Sequence, residues 1–325
     1  MTTDALVETR GLGVRFAARH GAFAHAVDGV DLVVRRGQVL ALVGESGCGK
    51  TTLARTILGL ERPAEGEVRF EGEPIAYDQR FLRSYRGRVQ MIFQDPMGSL
   101  NPRQTVYEAV AEGIRIQRLP GDEATRVAHA LGRAGLRPPE RFFQLYPYEL
   151  SGGQRQRVVI AGAMALDPAL LVADEPVSSL DASVRGEILA LMLELVRDAG
   201  VTVLVVTHDL GLAWNIADRI AVMYLGRIVE EGPAEELLTS PRHPYTRALL
   251  SVVPEVEEME QQILTGEAPD PTRIPPGCRF HPRCPLVASG EAARLGIEER
   301  CRSDDLGLGQ VRGAGSGHLA ACHAV

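Results

Sequence analysis

The chain of 325 residues is long for a single hydrophobic core, so we expect one large domain and an appendage. A hydrophobic content of 45%, a charged content of 24% and a mean hydropathy of −0.03 are typical of a globular protein without membrane-spanning helices. The net charge of −7 and the lack of a basic block argue against general nucleic-acid binding. Met1-Thr2-Thr3-Asp4 does not begin a targeting peptide, which predicts a cytosolic location.

Two short β-like segments precede the first strong motif. Residues 12–16 and 30–34 have strand composition, and they flank a loop rich in Gly, His and Ala at 17–25. We expect a small antiparallel sheet here, before the main core. Phe16 ends the first segment and is a candidate platform for stacking a nucleotide base, with Phe23 as a weaker alternative. The competing interpretation of Phe16 is an ordinary strand aromatic.

The dominant motif is a glycine-rich loop between a strand and a helix. An apolar run at 39–43 leads into Gly44-Glu45-Ser46-Gly47-Cys48-Gly49-Lys50-Thr51, which reads G-x-x-x-x-G-K-[ST]. Glycines let backbone N–H groups converge on phosphate oxygens, and the helix expected at 52–58 adds the positive end of its dipole. Lys50 is expected to reach the β- and γ-phosphates, and the Thr51 hydroxyl to bind Mg²⁺. The candidate ATP-binding residues are Phe16, Gly44, Ser46, Gly47, Cys48, Gly49, Lys50, Thr51 and Thr52.

The composition supports the role of Lys50 independently. Of the 35 basic residues, Lys50 is the only lysine, and the others are arginines. A planar guanidinium does not replace a compact ammonium between two phosphates. An arginine-biased chain is therefore expected to keep a lysine at this position.

A second glycine-rich helix start lies in a segment without strand signals. After strand patterns at 67–70 and 89–93, residues 104–166 show helical patterns, which predicts a helical subdomain at about 96–165 inserted into an α/β core. Within it, Ser151-Gly152-Gly153-Gln154 begins an apolar helix and forms a second candidate anion-binding site. Gln94, which leaves the strand at 89–93, is a candidate ligand contact.

Two further buried strands end in chemically active residues. Residues 169–173 lead into Asp174-Glu175, and paired carboxylates at a strand end call for a compensating cation. Asp174 is therefore a candidate Mg²⁺ ligand, and Glu175 is a candidate base for the attacking water. Asp181 is expected at the N-cap of a helix at 182–196 and also as a ligand contact. The strand at 201–207 delivers His208, a candidate γ-phosphate contact, and a hairpin at 219–229 follows.

Together these motifs resemble the nucleotide-binding subunits of ATP-binding cassette (ABC) transporters. In chain order they correspond to the Walker A loop, Q-loop, signature, Walker B motif, D-loop and H-loop, formed here by Gly44 to Thr51, Gln94, Leu150 to Gln154, Asp174-Glu175, Ser179-Leu180-Asp181 and His208. The resemblance covers about residues 5–250. It implies an α/β fold, with a P-loop NTPase (RecA-like) core, an N-terminal antiparallel β subdomain and an inserted helical subdomain.

A narrower resemblance is to the oligopeptide/dipeptide importer branch of this family. It depends on residues 93–103, on His243-Pro244-Tyr245-Thr246 and on the cysteine-bearing tail. The branch implies an ATPase at the cytoplasmic face of the membrane that powers peptide import. Its implied partners are two permeases, a second ATPase subunit, identical or homologous, and an extracytoplasmic binding protein. The alternatives are a non-membrane cassette ATPase, disfavoured by the acidic charge and single cassette, and an exporter ATPase, disfavoured by residues 243–246 and the tail.

The resemblance also implies how the residues act. Because the chain has one Walker A loop and one signature, each ATP site is completed in trans by an opposing subunit, through Ser151, Gly152, Gly153, Gln154 and Asp181. Glu175, His208 and Gln94 take the catalytic roles, and Gln94 joins Thr51 and Asp174 at the Mg²⁺ ion. Gln94 would also relay closure of the paired cassettes to a permease.

The C-terminal part, residues 254–325, is expected to be a separate and largely irregular tail that follows a nucleotide-binding domain at 1–253. It carries four of the five cysteines, Cys278, Cys284, Cys301 and Cys322, and such clustering in a Pro/Gly-rich segment favours a metal or cluster. Their spacing, C-x5-C-x16-C-x20-C, matches neither zinc-ribbon nor ferredoxin patterns. Some members of the branch that this chain resembles carry an iron–sulfur cluster on a similar cysteine set, so the open interpretations are a [4Fe–4S] cluster, zinc, and unligated or merely buried thiols.

Overall fold

The computed structural model describes residues 4–93, 95–178, 180–253, 262, 264, 266, 270–311, 315 and 317–325. The strands are β1 (Ala5–Ala17), β2 (Phe23–Arg35), β3 (Val39–Val43), β4 (Glu65–Phe70), β5 (Glu73–Pro74), β6 (Val89–Ile92), β7 (Leu170–Asp174), β8 (Thr202–Thr207), β9 (Arg219–Tyr224), β10 (Arg227–Pro233), β11 (Gly309–Gln310) and β12 (Leu319–Ala320).

The helices are α1 (Lys50–Ile57), α2 (Gln79–Arg88), α3 (Pro96–Ser99), α4 (Val106–Gln117), α5 (Glu123–Arg133), α6 (Gly152–Met164), α7 (Ala182–Ala199), α8 (Leu210–Ile216), α9 (Ala234–Thr239), α10 (Pro244–Leu250), α11 (Pro285–Ala288), α12 (Glu291–Arg294) and α13 (Glu298–Ser303). Among the described residues, none of these helices has the length and apolar character needed to cross a membrane.

The chain divides into two compact units. The first unit consists of Met1–Leu6, Val34–Val39 and Phe70–Val205, and the second of Val7–Val33, Leu40–Arg69 and Val206–Val325. The first unit contains the signature and Walker B segments. The second contains the phosphate loop, His208 and the cysteine-bearing tail.

In the first unit, helices α3 to α6 lie between strands β6 and β7 in chain order, although the two strands are neighbours in the sheet. Strands β6 and β7 pair in parallel, with Val89 opposite Leu170 and Ile92 opposite Ala173, and β8 lies beside β7. Helices α4, α5 and α6 pack on one another through apolar faces, and a capping box between Thr105 and Glu108 starts α4. No strand lies between β6 and β7 in the described residues, as the sequence pattern predicts.

In the second unit, five strands lie in the order β11-β12-β10-β9-β3. Strand β3 is parallel to β9, and all five of its residues are buried, which explains its unbroken apolar composition. Strands β2, β1 and β4 are neighbours in a separate sheet that corresponds to the expected N-terminal one. The core of this unit includes three fully buried rings, Tyr224, Tyr245 and Phe280, with centroids 4.7–5.3 Å apart. The tail thus contributes Phe280 to the core.

The structure corrects several predicted boundaries. Strand β2 begins at Phe23, inside the predicted loop at 17–25, and α1 begins at Lys50 rather than at residue 52. Helix α7 continues to Ala199, beyond the predicted end at 196, because the left-handed residue that ends it is Gly200, with φ of 63°. Strand β6 ends at Ile92, so that residue 93 is not part of it.

The tail carries more regular structure than the sequence predicts. It forms α11, α12 and α13, and β12 joins the sheet, with Leu319 opposite Glu231 and Ala320 opposite Glu230. These helices have four to six residues and the strands have two, so no periodic pattern identifies them in the sequence.

Candidate functional site

The phosphate loop surrounds the ammonium group of Lys50. The Lys50 side chain is buried, and its Nζ donates hydrogen bonds to the carbonyl oxygens of Gly44 at 2.7 Å and Glu45 at 2.9 Å. The loop backbone therefore curls around the charge, and the position of each carbonyl helps to determine where the ammonium lies. Lys50 also begins α1, with Thr51 and Thr52 in its first turn, at the helix end that carries a partial positive charge.

Glycine is required at two loop positions because other backbone segments approach closely. A Cβ on Gly49 would lie 1.9 Å from the Ala26 carbonyl oxygen, and a Cβ on Gly44 would lie 2.2 Å from that of Met223. Gly49 also has a left-handed φ of 109°. Neither position accepts a side chain unless the backbone moves.

Cys48 contributes to the loop through its backbone. Its carbonyl oxygen accepts a hydrogen bond from the Gly226 N–H at 2.8 Å, which ties the loop to the turn between β9 and β10. The thiol is buried, and burial raises its pKa. Ser46 and Gly47 lie at the tip of the loop, where a Cβ on Gly47 would meet nothing within 4 Å.

Glu45 is held from two directions that the sequence analysis did not anticipate. Its N–H donates to the Tyr245 hydroxyl at 2.9 Å, and its carboxylate accepts two hydrogen bonds from Arg283, at 2.8 and 3.0 Å. These partners are 200 and 238 residues away in sequence. In the sequence, the motif at residues 243–246 indicated the family branch and no structural role. In the structure, His243 caps α10 by accepting from the Tyr245 N–H at 3.1 Å, and this helix presents Tyr245 to the loop.

Both candidate base-stacking aromatics are partly exposed. Phe16 is 41% exposed near the end of β1, and Phe23 is 49% exposed at the start of β2. The guanidinium of Arg15 lies 5.4 Å from the centroid of the Phe23 ring, so one aromatic already has a cationic neighbour. The role of Phe16 in base stacking stays a prediction.

In the first unit, the signature segment is a self-capped helix start. Ser151 is the N-cap of α6, and its hydroxyl accepts from the Gln154 N–H at 3.2 Å while the Gln154 side chain accepts from the Ser151 N–H at 2.9 Å. Ser151 and Gly152 are exposed, whereas Gly153 and Gln154 are half-buried. The segment has the polar groups that the sequence analysis predicted, and it presents its first two residues to solvent.

The signature segment lies next to the start of α7. A Cβ on Gly152 would lie 3.8 Å from Leu180, and a Cβ on Gly153 would lie 2.8 Å from Cγ1 of Val184. Asp181 occupies the N-cap of α7 as predicted, but its side chain makes no capping hydrogen bond, and the residue is exposed. The structure therefore brings the predicted trans-acting residues of α6 and Asp181 to neighbouring helix starts.

The two Walker B carboxylates differ in their surroundings. Asp174 ends β7 and is buried, whereas Glu175 is half-buried in the following turn. Glu175 has a left-handed φ of 50°, which is unusual for a residue with a side chain and costs about 1–2 kcal/mol. The turn is held by Ser178, whose hydroxyl donates to the Glu175 carbonyl at 3.1 Å, and by Gln156, whose side-chain amide donates to Pro176 at 2.9 Å. Such a strained but supported conformation is typical of a functional position.

Other predicted residues are placed less fully. His208 directly follows β8 and is exposed, and the next residue, Asp209, caps α8 by accepting from the Leu212 N–H. Gln94 and Ser179 lie outside the described residues, so their predicted roles stay predictions.

All four tail cysteines line one small cavity of about 20 Å³ in the second unit. Its walls also include Phe280, Leu286, Val287 and Ile297, so the thiols face an apolar environment. Burial raises the pKa of Cys278 to about 11 and that of Cys322 to about 12, and it also raises those of Cys284 and Cys301. In the described part of the chain, no group of three or more His, Cys, Asp or Glu residues is arranged to hold a metal ion.

Comparisons with known proteins agree with these features. A family model described as ABC transporter matches residues 27–178, and one described as oligopeptide/dipeptide transporter, C-terminal region, matches residues 229–290. The oligopeptide transport ATP-binding protein AppF of Bacillus subtilis is 38% identical over 335 residues, which cover 98% of this chain and 97% of AppF. The dipeptide transport ATP-binding protein DppF of Escherichia coli is 40% identical over 290 residues, 86% of each chain.

A solved structure shows the same fold. The dimeric structure of MJ0796, a bacterial ABC transporter cassette, matches with a TM-score of 0.63 and 29% identity, over 70% of this chain and 98% of that one. The predicted fold class is thereby confirmed, and so is the family that the motifs indicate. The chain belongs to the ATP-binding subunits of ABC transporters, in their oligopeptide/dipeptide branch.

Proposed function

We propose that this chain binds and hydrolyses ATP to power a peptide importer from the cytoplasmic face of the membrane. One observation carries the proposal: a phosphate loop around the single lysine and a C-terminal region of the oligopeptide/dipeptide transporter type occur in one chain. The names of AppF and DppF assign oligopeptide and dipeptide transport to those relatives. We extend peptide import from them to this chain.

The loop binds the nucleotide phosphates through its backbone and Lys50. In the structure, the ammonium is hydrogen-bonded to the carbonyl oxygens of Gly44 and Glu45, so it is held against the loop backbone. A bound phosphate competes with these carbonyls for the ammonium and provides the negative charge that they lack. Phe16 is the proposed stacking partner of the adenine ring.

Hydrolysis assigns separate roles to the acidic residues and His208. Glu175 orients the attacking water, and His208 donates to the γ-phosphate as charge develops on it. When bound, Mg²⁺ would supply positive charge beside the phosphate oxygens. Thr51 and Asp174 fit this ion because they offer the hydroxyl and carboxylate oxygens that Mg²⁺ prefers, and Gln94 is the third proposed ligand.

The second half of each ATP site comes from an opposing ATPase subunit, identical or homologous. Ser151 and Gly153 would approach the γ-phosphate held by the partner, with Gly152, Gln154 and Asp181 beside them. The exposure of Ser151, Gly152 and Asp181 supports this role, because groups that act in trans must be accessible. Closure of the pair would be relayed through Gln94 to two permeases, which receive solute from an extracytoplasmic binding protein.

We also propose that the tail cysteines hold a [4Fe–4S] cluster. Cys278, Cys284, Cys301 and Cys322 provide the four thiolates such a cluster requires, and they line one cavity. Iron and sulfide analysis with visible absorbance spectra of anaerobically purified protein tests this proposal. Zinc or a metal-free protein under those conditions contradicts it.

Uptake of labelled di- and oligopeptides tests the proposed function directly. Cells that lack this chain are expected to lose uptake of at least one peptide class, and the wild-type chain is expected to restore it. The Glu175→Gln variant, expressed to the same level, should not restore it. Unchanged peptide uptake in the deletion strain would contradict peptide import, and stimulation of the ATPase by DNA or ribosomes would favour the non-membrane alternative.

A further inference from the structure

The segment that includes the first two tail cysteines contacts the phosphate loop and residues packed against it. We define residues 278–284 as the strap; it reads Cys-Arg-Phe-His-Pro-Arg-Cys. Three of its side chains face the second unit's core or loop: Arg279, Phe280 and Arg283. Each contacts a different group that supports the loop.

Arg283 makes the direct contact. Its guanidinium donates two hydrogen bonds to the Glu45 carboxylate, and the Arg283 side chain is only 10% exposed. The guanidinium also lies 3.5 Å from the Tyr224 hydroxyl. The Glu45 side chain is 29% exposed, but two hydrogen bonds to a nearly buried guanidinium restrict it more than a pair with an exposed arginine would.

The pair matters because Glu45 also positions Lys50. The carbonyl oxygen of Glu45 accepts from the Lys50 ammonium at 2.9 Å, and its N–H donates to Tyr245. Glu45 is thus fixed at its side chain, its N–H and its carbonyl. Displacement of the side chain would move the carbonyl that holds the ammonium.

Arg279 and Phe280 strengthen the same connection by a second route. Arg279 is 6% exposed; it donates to the Leu225 carbonyl at 2.6 Å and pairs with Asp28. Gly226, the residue after Leu225, donates its N–H to the Cys48 carbonyl of the loop. Phe280 packs on Tyr245, whose hydroxyl receives the Glu45 N–H. The strap therefore reaches the loop through both its second residue, Arg279, and its sixth, Arg283.

We propose that Arg283 is a positioning residue for ATP binding, which acts by fixing Glu45 and, through it, the ammonium of Lys50. The proposal depends on ATP binding by the loop, and it does not depend on the transported solute. It assigns to the tail a role in the nucleotide site that residue spacing alone does not reveal.

Equilibrium binding of a non-hydrolysable ATP analogue with Mg²⁺ to the purified full-length chain tests the proposal. In Arg283→Met, we expect the dissociation constant to rise about tenfold, and in Glu45→Gln to rise by a similar factor. The double variant should bind no more weakly than either single variant, because both remove the same interaction. Arg283→Lys keeps the charge but not the planar fork, so it should recover only part of the affinity.

Arg302→Met provides a matched control in the same tail. Arg302 makes a comparable two-contact pair with Glu298, at 2.9 and 3.3 Å, but the pair is exposed and does not touch the loop. Its variant should bind the analogue as the wild type does. Thermal midpoints measured without nucleotide separate positioning from folding, since a merely structural role would lower the midpoint and leave the affinity of the folded protein unchanged.

Each result is decisive. If Arg283→Met and Glu45→Gln bind the analogue as tightly as Arg302→Met and the wild type do, the positioning role is overturned. Additive losses in the double variant would also overturn it, because they would show that Arg283 acts independently of Glu45. Failure of the wild-type chain to bind the analogue would instead overturn the proposed function.

Discussion

The phosphate loop and the signature segment are both glycine-rich helix starts, but they are held in different ways. The N-cap of α1, Gly49, makes no side-chain capping bond, and the loop is shaped by distant groups such as Tyr245 and Arg283. The start of α6 is capped by its own residues, Ser151 and Gln154. The loop therefore depends on long-range contacts within the second unit, whereas the signature depends on local sequence and remains exposed.

This difference assigns different steps to the two segments. Under the proposed function, the loop, which is held by its own chain, is expected to bind nucleotide in an isolated subunit. The exposed, self-capped signature segment is expected to act on a nucleotide that an opposing subunit holds. We therefore expect loop substitutions to weaken binding and signature substitutions to impair only hydrolysis by the paired subunits.

Glu175→Gln should give the largest separation of binding from hydrolysis. The amide keeps the shape of the side chain but no longer polarises water, so the rate of ATP hydrolysis should fall by about 10²- to 10⁴-fold. Nucleotide affinity should change little, because the loop is untouched. Steady-state hydrolysis and equilibrium binding of ATP measure the two effects. Undiminished hydrolysis would show that another group activates the water.

Lys50→Ala and Ser151→Ala test the comparison itself. Removal of the buried ammonium should weaken nucleotide binding by an isolated subunit about 100-fold. Ser151→Ala should leave that affinity unchanged and reduce hydrolysis by the assembled pair about tenfold. Binding to a fluorescent ATP analogue and hydrolysis at high protein concentration give the two measurements. Equal losses of affinity in both variants would remove the proposed division of roles.

The sequence predicts the parts of these segments that depend on neighbouring residues. The turn before α1, the capping residues of α6 and the acidic end of β7 each follow from a short pattern, and the structure places all of them as expected. The contacts of Glu45 are different. Tyr245 and Arg283 lie 200 or more residues away, and no local pattern indicates which of many polar side chains will meet the loop.

Two other features of the structure could not be predicted from the sequence, for related reasons. The positive φ of Glu175 could not be predicted, because glycine, asparagine and aspartate adopt that conformation far more often than glutamate does. The strand β12 has two residues and pairs with β10 across a long separation, so its pairing is decided by tertiary contacts. Sequence patterns thus identified the candidate reactive residues, while the contacts that hold Glu45 could be found only in the structure.

Glycine substitutions should show the same contrast in stability. Gly49→Ala places Cβ 1.9 Å from a backbone oxygen of β2, so we expect a loss of about 3 kcal/mol or more in the free energy of unfolding. Gly153→Ala meets only the end of a valine side chain and adds helix propensity, so its effect should stay within about 1 kcal/mol. Denaturant titration measures both. A Gly49→Ala protein as stable as Gly153→Ala would mean that the loop is not constrained by β2.

The smallest expected effect concerns pH and the attachment of the tail in the second unit. His318 is fully buried, and its Nε2 lies 2.7 Å from Glu230, which also accepts the Arg242 and His243 N–H groups. The Glu230 hydrogen bond, supported by Glu236 at 3.4 Å, raises the pKa of His318 above its usual value of 6.5.

Because the folded-state pKa is raised, protonated His318 stabilises the fold at low pH, and this contribution is lost as the pH rises through the folded-state value. In the first unit, the pKa values of Glu71, Asp122 and Glu123 are lowered instead, that of Glu71 to about 2 because Arg88 and Arg36 donate hydrogen bonds to it. Between pH 6 and pH 9, the thermal midpoint should therefore fall by about 2–4 °C in the wild type and less in His318→Gln. An equal fall in both proteins would assign the pH dependence to another group and leave the tail's attachment insensitive to His318.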